Sequence, residues 1–293
     1  MGLFGSSGIR GIVNKEFTPE LASLVGMAVG SDSKRAVVGM DTRTSGPMVE
    51  AAVSSGLMAC GCDVFIAGVV TTPTLAEAAR SMDCGIMITA SHNPPEYAGM
   101  KLWNPDGTGF NVEQSRAIES RIVKKDFNLS QWDHVGQSHV LHKAATHHIE
   151  RILKGVGKAN LKVVVDCANG PAFDVTPRVL QRMGCRVVTL NANPDGHFPG
   201  RPPEPVDEHL NDLKKAVVSM KADLGIAHDG DADRMVAIDD KGVYLGGDQL
   251  LAMFAKKFAK KKAVVTVDAS MVIDDYIDAK VVRTRVGDVF VSE

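Results

Sequence analysis

A serine and a cluster of carboxylates stand where an enzyme could use them. Thr89-Ala90-Ser91-His92-Asn93-Pro94 follows an apolar run that ends at Ile88, and open α/β sheets gather reactive groups in loops at the carboxyl ends of their strands. A free serine hydroxyl is a poor nucleophile and becomes useful beside a base or a metal, or once it carries a phosphoryl group. By itself the stretch is more simply read as a surface turn or helix cap. The second group is Asp229-Gly230-Asp231-Ala232-Asp233-Arg234, again just after an apolar run, Leu224 to Ala227. Three carboxylates on alternate residues repel unless a hard cation holds them, and an all-oxygen ligand set suits Mg²⁺ or Ca²⁺. The Gly and Ala spacers put no bulk between Asp229, Asp231 and Asp233, which points to metal binding.

Such an acidic loop has two other uses. An EF-hand also begins with alternate acidic residues, but Arg234 occupies the sixth position where glycine makes the turn, and Asp240 stands where glutamate closes the site. A haloacid-dehalogenase-like phosphatase would use Asp229 as nucleophile and Asp231 as its partner, with Thr or Val expected in place of Asp233. A third stretch, Gly5-Ser6-Ser7-Gly8-Ile9-Arg10-Gly11, combines hydroxyls, a guanidinium and glycines that allow close backbone approach. Such a loop can wrap an anion. Without companions it is an ordinary N-terminal loop.

These loops need strands to carry them. Short apolar runs at 36–40, 63–67, 85–88, 162–165, 186–190 and 224–227 alternate with longer helix-like stretches, including 46–59, 74–82 and 143–154, which is the βαβ pattern. The fold class expected is α/β: consecutive similar domains with mixed sheets flanked by helices. The pattern lapses in the polar stretch 128–140 and restarts after residue 150, where a first boundary is placed. It is interrupted by a Pro- and Gly-rich loop at 193–205 that cannot be helix or central strand. After Gly246 a helix at 248–258 and a strand at 263–267 open a third unit. The domains expected are therefore 1–150, 151–245 and 246–293, the third incomplete.

Length and composition agree with this division. The chain has 293 residues, 44% hydrophobic and 23% charged, with a formal net charge of −2, so it calls for more than one domain and offers no attraction to a nucleic-acid backbone. It has no run of about 18 apolar residues and no signal-peptide pattern, so no membrane partner and a cytoplasmic location are expected. Five cysteines at non-motif spacings are expected to be reduced and buried. Oligomeric state is not readable.

Taken together, the three loops resemble those of the α-D-phosphohexomutase superfamily, which includes phosphoglucomutases, phosphomannomutases and phosphoglucosamine mutases. Further phrases similar to the family's run through the chain in order: Asp41-Thr42-Arg43, Thr71-Thr72-Pro73-Thr74, Gly99-Met100-Lys101, Asp166-Cys167-Ala168-Asn169-Gly170, and Pro194-Asp195-Gly196 leading to Pro202-Pro203-Glu204-Pro205. The resemblance implies an intramolecular phosphotransferase that interconverts hexose 6-phosphate and hexose 1-phosphate, glucosamine phosphate being slightly favoured. Ser91 would carry the phosphoryl group, a hexose 1,6-bisphosphate would be intermediate and activator, and Mg²⁺ would be held by Asp229, Asp231, Asp233 and the Ser91 phosphoryl oxygen. It further implies catalytic roles for Arg10, Lys101 and His92, and substrate contacts from Ser7 and Arg234. Members of the family continue through a full third domain and a fourth, so a chain that binds sugar phosphate without turnover is the remaining alternative. Elsewhere plain structural roles are expected: His147 and His148 on a helix, and Lys256, Lys257, Lys260, Lys261 and Lys262 at a solvated helix end.

Overall fold

The computed structural model describes residues 2–5 and 8–292. The amino-terminal part comprises β1 (Ile9–Ile12), α1 (Pro19–Gly30), β2 (Arg35–Met40), α2 (Gly46–Ala59), β3 (Asp63–Val69), α3 (Thr72–Ala79), β4 (Cys84–Ile88), β5 (Tyr97–Trp103), α4 (Val112–Lys124) and β6 (Ser138–Val140). Its strands form one sheet in the order β1-β5-β4-β2-β3-β6, parallel from β4 to β6 and antiparallel where β5 meets β4 and β1. β4 is buried along its whole length. That is why Cys84 to Ile88 is continuously apolar rather than alternating. Alternate side chains then feed two cores: Val38, Ile86 and Ile88 pack with Val25, Val53 and Leu57 under α1 and α2, while Val37 and Met87 pack with Leu75 and Ala79 of α3 on the other face.

The next elements are α5 (Ala144–Gly155), β7 (Lys162–Asp166), α6 (Thr176–Met183), β8 (Arg186–Leu190), α7 (Asn211–Met220), β9 (Leu224–His228), β10 (Met235–Asp239) and β11 (Tyr244–Leu245). A second sheet runs β11-β10-β9-β7-β8, with Val164 and Ala227 facing Leu213 and Val217 of α7, and Val163 and Val165 facing Leu180 of α6. The chain then makes α8 (Gly247–Phe258), β12 (Lys262–Thr266), α9 (Val272–Tyr276), β13 (Lys280–Thr284) and α10 (Asp288–Ser292), in which β12 and β13 pair in parallel. Mixed sheets flanked by helices are thus the architecture. α5, which contains residue 150, touches both neighbours: His148 meets Thr74 of α3, and Glu150 pairs with Arg182 of α6.

Some elements differ from the expected pattern for local reasons. The helix expected at 74–82 begins two residues earlier because the Thr71 hydroxyl accepts the Thr74 N–H and Pro73 supplies a pre-set first turn. The polar stretch 128–140 ends in the edge strand β6, all of whose residues are exposed, so no apolar alternation marks it. All five cysteines are free and buried, as expected.

Two expectations follow from this packing. α1 and α2 approach through glycine, and a Cβ at Gly56 would lie 2.2 Å from the Ser23 carbonyl oxygen. Gly56→Ala is expected to cost about 1–3 kcal/mol, read as a lower urea midpoint. His148 Nδ1 lies 2.9 Å from Thr74 Oγ1, and burial holds its pKa below the ordinary 6.5, with Glu77 opposing the shift. A depressed folded-state pKa means that the neutral ring contributes stability fully above pH 6.5 and loses it as pH falls from there through the folded value. His148→Gln should therefore flatten the fall of the urea midpoint below pH 6.5, and an unchanged slope would contradict this.

Candidate active site

The Ser91 loop leaves the carboxyl end of β4 with Ser91 at φ +52°, a left-handed conformation that costs a non-glycine residue about 1–2 kcal/mol. Side chains fix it there. The Ser91 N–H donates to Thr89 Oγ1 at 2.8 Å, and the Thr89 hydroxyl donates to Asp41 Oδ2 at 2.6 Å. Asp41 is buried beyond the end of β2, where it also pairs with Arg43. The Ser91 hydroxyl then reaches across to the second sheet and donates to Asp229 Oδ2 at 2.8 Å. Residues 138 positions apart meet because both occupy the first turn beyond a central strand.

Asp229, Asp231 and Asp233 follow β9, and one carboxylate oxygen of each lies within 4.8 Å of the others. Asp229 Oδ1 accepts the Arg234 N–H, and Asp231 Oδ2 accepts the Thr72 hydroxyl at 2.6 Å. Lys101, in the middle of β5 and only 6% exposed, donates to Asp231 Oδ2 at 2.8 Å and to Asp233 Oδ2 at 2.5 Å. It is therefore a buried, ion-paired lysine and not a solvated one. Burial and the two neighbouring carboxylates raise the pKa of Asp229 well above the carboxylate range. Burial pushes Asp231 the same way, but Lys101 and Thr72 override it and hold Asp231 ionised. Asp233 is raised by burial and by Asp231. Burial works against the Lys101 ammonium, yet Asp231 and Asp233 raise its pKa overall. Among the described residues, Asp231 Oδ1 is buried with no hydrogen-bond partner. An orphaned carboxylate oxygen among clustered hard oxygens, with Lys101 as the buried cation and only the half-exposed Arg234 beside it for three acids, fits a divalent metal.

Around this core, Arg10 on β1 donates through Nη1 to Asn93 Oδ1 at 3.0 Å. His92 Nδ1 is 3.4 Å from the Ser91 hydroxyl, and burial together with nearby Arg234 lowers its pKa, favouring the neutral ring. The half-exposed Arg234 side chain keeps its Nε 3.9 Å from Asp233 Oδ1. Ser7 lies outside the described residues. Arg10, Thr72, Lys101, Asp233 and Arg234 line a cavity of about 770 Å³ that also has Arg80, Trp103 and Arg151 on its walls. Ser91, Asp229 and Asp231 are not on that wall; they sit one side chain behind it. The structure thus gathers Ser91, His92, Arg10, Lys101, Arg234 and the three aspartates. Sequence reasoning assigns no role to Thr72, Thr89 or Asp41, although all three lie in phrases that carry the family resemblance.

Removing the one lysine from this cluster leaves Asp231 buried without its counter-charge. Lys101→Met is expected to cost about 3–5 kcal/mol in metal-free buffer. A saturating hard divalent cation should restore more stability to that variant than it adds to the unsubstituted chain. Thermal unfolding with and without the cation checks both effects, and equal cation effects would contradict them.

The chain matches known proteins along its length. The family model described as phosphoglucomutase/phosphomannomutase, alpha/beta/alpha domain I, matches residues 1–129, and that of domain II matches residues 142–242. A "Probable phosphoglucosamine mutase" of Methanosarcina acetivorans is 54% identical over 297 residues, with 100% of this chain and 68% of the relative covered. A phosphoglucosamine mutase of Methanococcus maripaludis is 46% identical over 305 residues, with 100% and 68% covered. Among solved structures, a phosphoglucomutase/phosphomannomutase family protein from Burkholderia thailandensis superposes with TM-score 0.89 at 28% identity, covering 99% of this chain and 67% of that one.

Proposed function

The chain belongs to the phosphoglucomutase/phosphomannomutase family, and on that premise we propose that it interconverts hexose 6-phosphate and hexose 1-phosphate, with glucosamine phosphate as the sugar, through a phosphoryl group on Ser91. The observation that carries this reading is the 2.8 Å contact of the Ser91 hydroxyl with Asp229. It sets the group to be phosphorylated against an acidic loop that fits a metal. The relatives named phosphoglucosamine mutase support the choice of sugar.

In one half-reaction the bond from Ser91 Oγ to phosphorus breaks as a bond from phosphorus to a sugar hydroxyl oxygen forms, giving the hexose 1,6-bisphosphate. The hydroxyl proton leaves the sugar oxygen and Ser91 Oγ regains one. In the second half-reaction the other phosphate of the reoriented sugar returns to Ser91. Phosphoryl transfer needs mainly alignment and charge neutralisation. Asp229, Asp231 and Asp233 would hold Mg²⁺, which would neutralise charge on the phosphoryl oxygens. Lys101, which pairs with Asp231 and Asp233, and Arg10, which bonds Asn93 of the Ser91 loop, line the cavity and would offset negative charge on the transferring group. Neutral His92 would donate to the phosphoserine, and Arg234, half in solvent on the cavity wall, would meet the incoming sugar phosphate, as Ser7 is expected to. A cytoplasmic setting accords with a sugar-phosphate substrate. Among the described residues, no helix is long and apolar enough to cross a membrane.

The phosphatase reading has less support: Asp229 accepts the Ser91 hydroxyl through Oδ2 and the Arg234 N–H through Oδ1, contacts that suit a metal ligand beside a phosphoserine, and the relatives that match the chain carry the mutase name.

The reading predicts that the protein, with Mg²⁺ and a trace of glucosamine 1,6-bisphosphate, converts glucosamine 6-phosphate into glucosamine 1-phosphate, followed by ³¹P NMR. Ser91→Ala should reduce the conversion to background while the fold persists. Conversion that continues in the folded variant would contradict the assignment, and release of inorganic phosphate instead would favour the phosphatase.

A further inference from the structure

The loop 193–205 and the buried pair Asp41 and Arg43 are prominent in the sequence, yet neither touches a reacting atom. Arg43 is 3% exposed and spends its guanidinium on one acid and four carbonyls. Nε pairs with Asp41 Oδ2 at 3.1 Å, Nη1 donates to the Pro94 and Tyr97 oxygens, and Nη2 donates to those of Ser91 and Asn93. One side chain therefore ties down four carbonyls of the segment from Ser91 to Tyr97. The second sheet repeats the device. Arg201, 6% exposed, pairs through Nε with Asp166 Oδ2 at 2.9 Å, at the end of β7, and donates through Nη2 to the His228 oxygen at 2.6 Å, immediately before Asp229.

Loop 193–205 connects the two devices. It carries Arg201, and the ring of its Phe198, itself 5% exposed, lies 5.2 Å from the Arg43 guanidinium. Gly196 lets the backbones close, since a Cβ there would fall 2.4 Å from the Thr42 carbonyl oxygen. Lysine cannot replace either arginine in this role, because a single ammonium lacks the planar fork of five N–H donors.

We propose that Arg43 and Arg201 are paired positioning residues for phosphoryl transfer, holding the Ser91 and Asp229 loops in register, and that Phe198 joins the two across the interface between the sheets. This rests on the mutase reading for its chemistry, but its metal-binding arm does not. The left-handed turn at Ser91 relaxes when its carbonyls are released, which carries the hydroxyl away from Asp229. Releasing the His228 carbonyl loosens the first metal ligand instead. The two substitutions therefore fail differently, which a general loss of stability would not produce.

The test uses the full chain with Arg43→Lys, Arg201→Lys and Phe198→Leu. Mg²⁺ affinity is measured by calorimetry, Ser91 phosphorylation by a hexose 1,6-bisphosphate by mass spectrometry, and stability by urea midpoint. Arg43→Lys is expected to lower the maximal loading rate about a hundredfold, the scale of an ångström misplacement, with half-saturation and Mg²⁺ affinity within about twofold of the unsubstituted chain. Arg201→Lys is expected to weaken Mg²⁺ binding about 10–100-fold. Phe198→Leu should lower the loading rate in the same direction as Arg43→Lys and add little to it in the double variant. Loading by Arg43→Lys at the unsubstituted maximal rate overturns the proposal, as does a parallel loss of rate and affinity that tracks the urea midpoint in both variants. Absence of loading in the unsubstituted chain would instead sink the mutase reading, while undiminished Mg²⁺ affinity in Arg201→Lys would overturn the proposal on its own.

Discussion

Everything near the cleft answers to one electrostatic problem: three carboxylates gathered within 4.8 Å, two of them fully buried. At an effective dielectric near 20, like charges at that separation repel by about 3 kcal/mol per pair, and burial adds a desolvation cost to each. The protein meets part of this with Lys101, which is held between Asp231 and Asp233, part with the Thr72 hydroxyl, and part by leaving Asp229 inclined to keep its proton. The unpartnered Asp231 Oδ1 marks what remains unbalanced. A divalent cation completes the balance, and the same cation is what a phosphoryl group on Ser91 requires.

The two sheets are the means of assembling that cluster. β4 and β9 are central strands buried by helices on both sides, and each ends in a loop that could not be placed accurately from a flexible connection. Each loop is also tied back to an acid at the end of a neighbouring strand, Asp41 beside β4 and Asp166 beside β9. The Ser91 contact with Asp229 is therefore the point where the two sheets are referenced to each other. Loop 193–205 braces the joint, with Phe198 against Arg43 on one side and Arg201 against the base of the metal loop on the other.

Much of this was legible in the sequence where burial leaves a continuous apolar signature. Strands 84–88, 162–166 and 224–228 were found within a residue because both faces are covered, and Ser91 and the three aspartates stood out as polar interruptions just beyond such runs. β1, β5, β6, β10, β11 and β13 lie outside the runs read as strands. β6 is an exposed edge, and β1 and β5 carry glycine and charge where the backbone must pass close to the Ser91 loop: a Cβ at Gly99 would lie 2.7 Å from the Thr89 oxygen. The burial of Lys101 was likewise hidden, since a lysine in mid-strand only makes sense once acids from another sheet, 130 positions away, are seen to meet it. Arg43 and Arg201 act through backbone carbonyls, which leave no trace in residue type, so only the phrases around them could be noticed.

The central claim is that Ser91, and not Asp229, carries the phosphoryl group. Intact-mass and peptide mass spectrometry of the protein, before and after incubation with a hexose 1,6-bisphosphate and Mg²⁺, tests it most directly. The account predicts a single added phosphoryl group, mapped to Ser91 and stable in acid. A hydroxylamine-sensitive, acid-labile phosphate on Asp229 would contradict it.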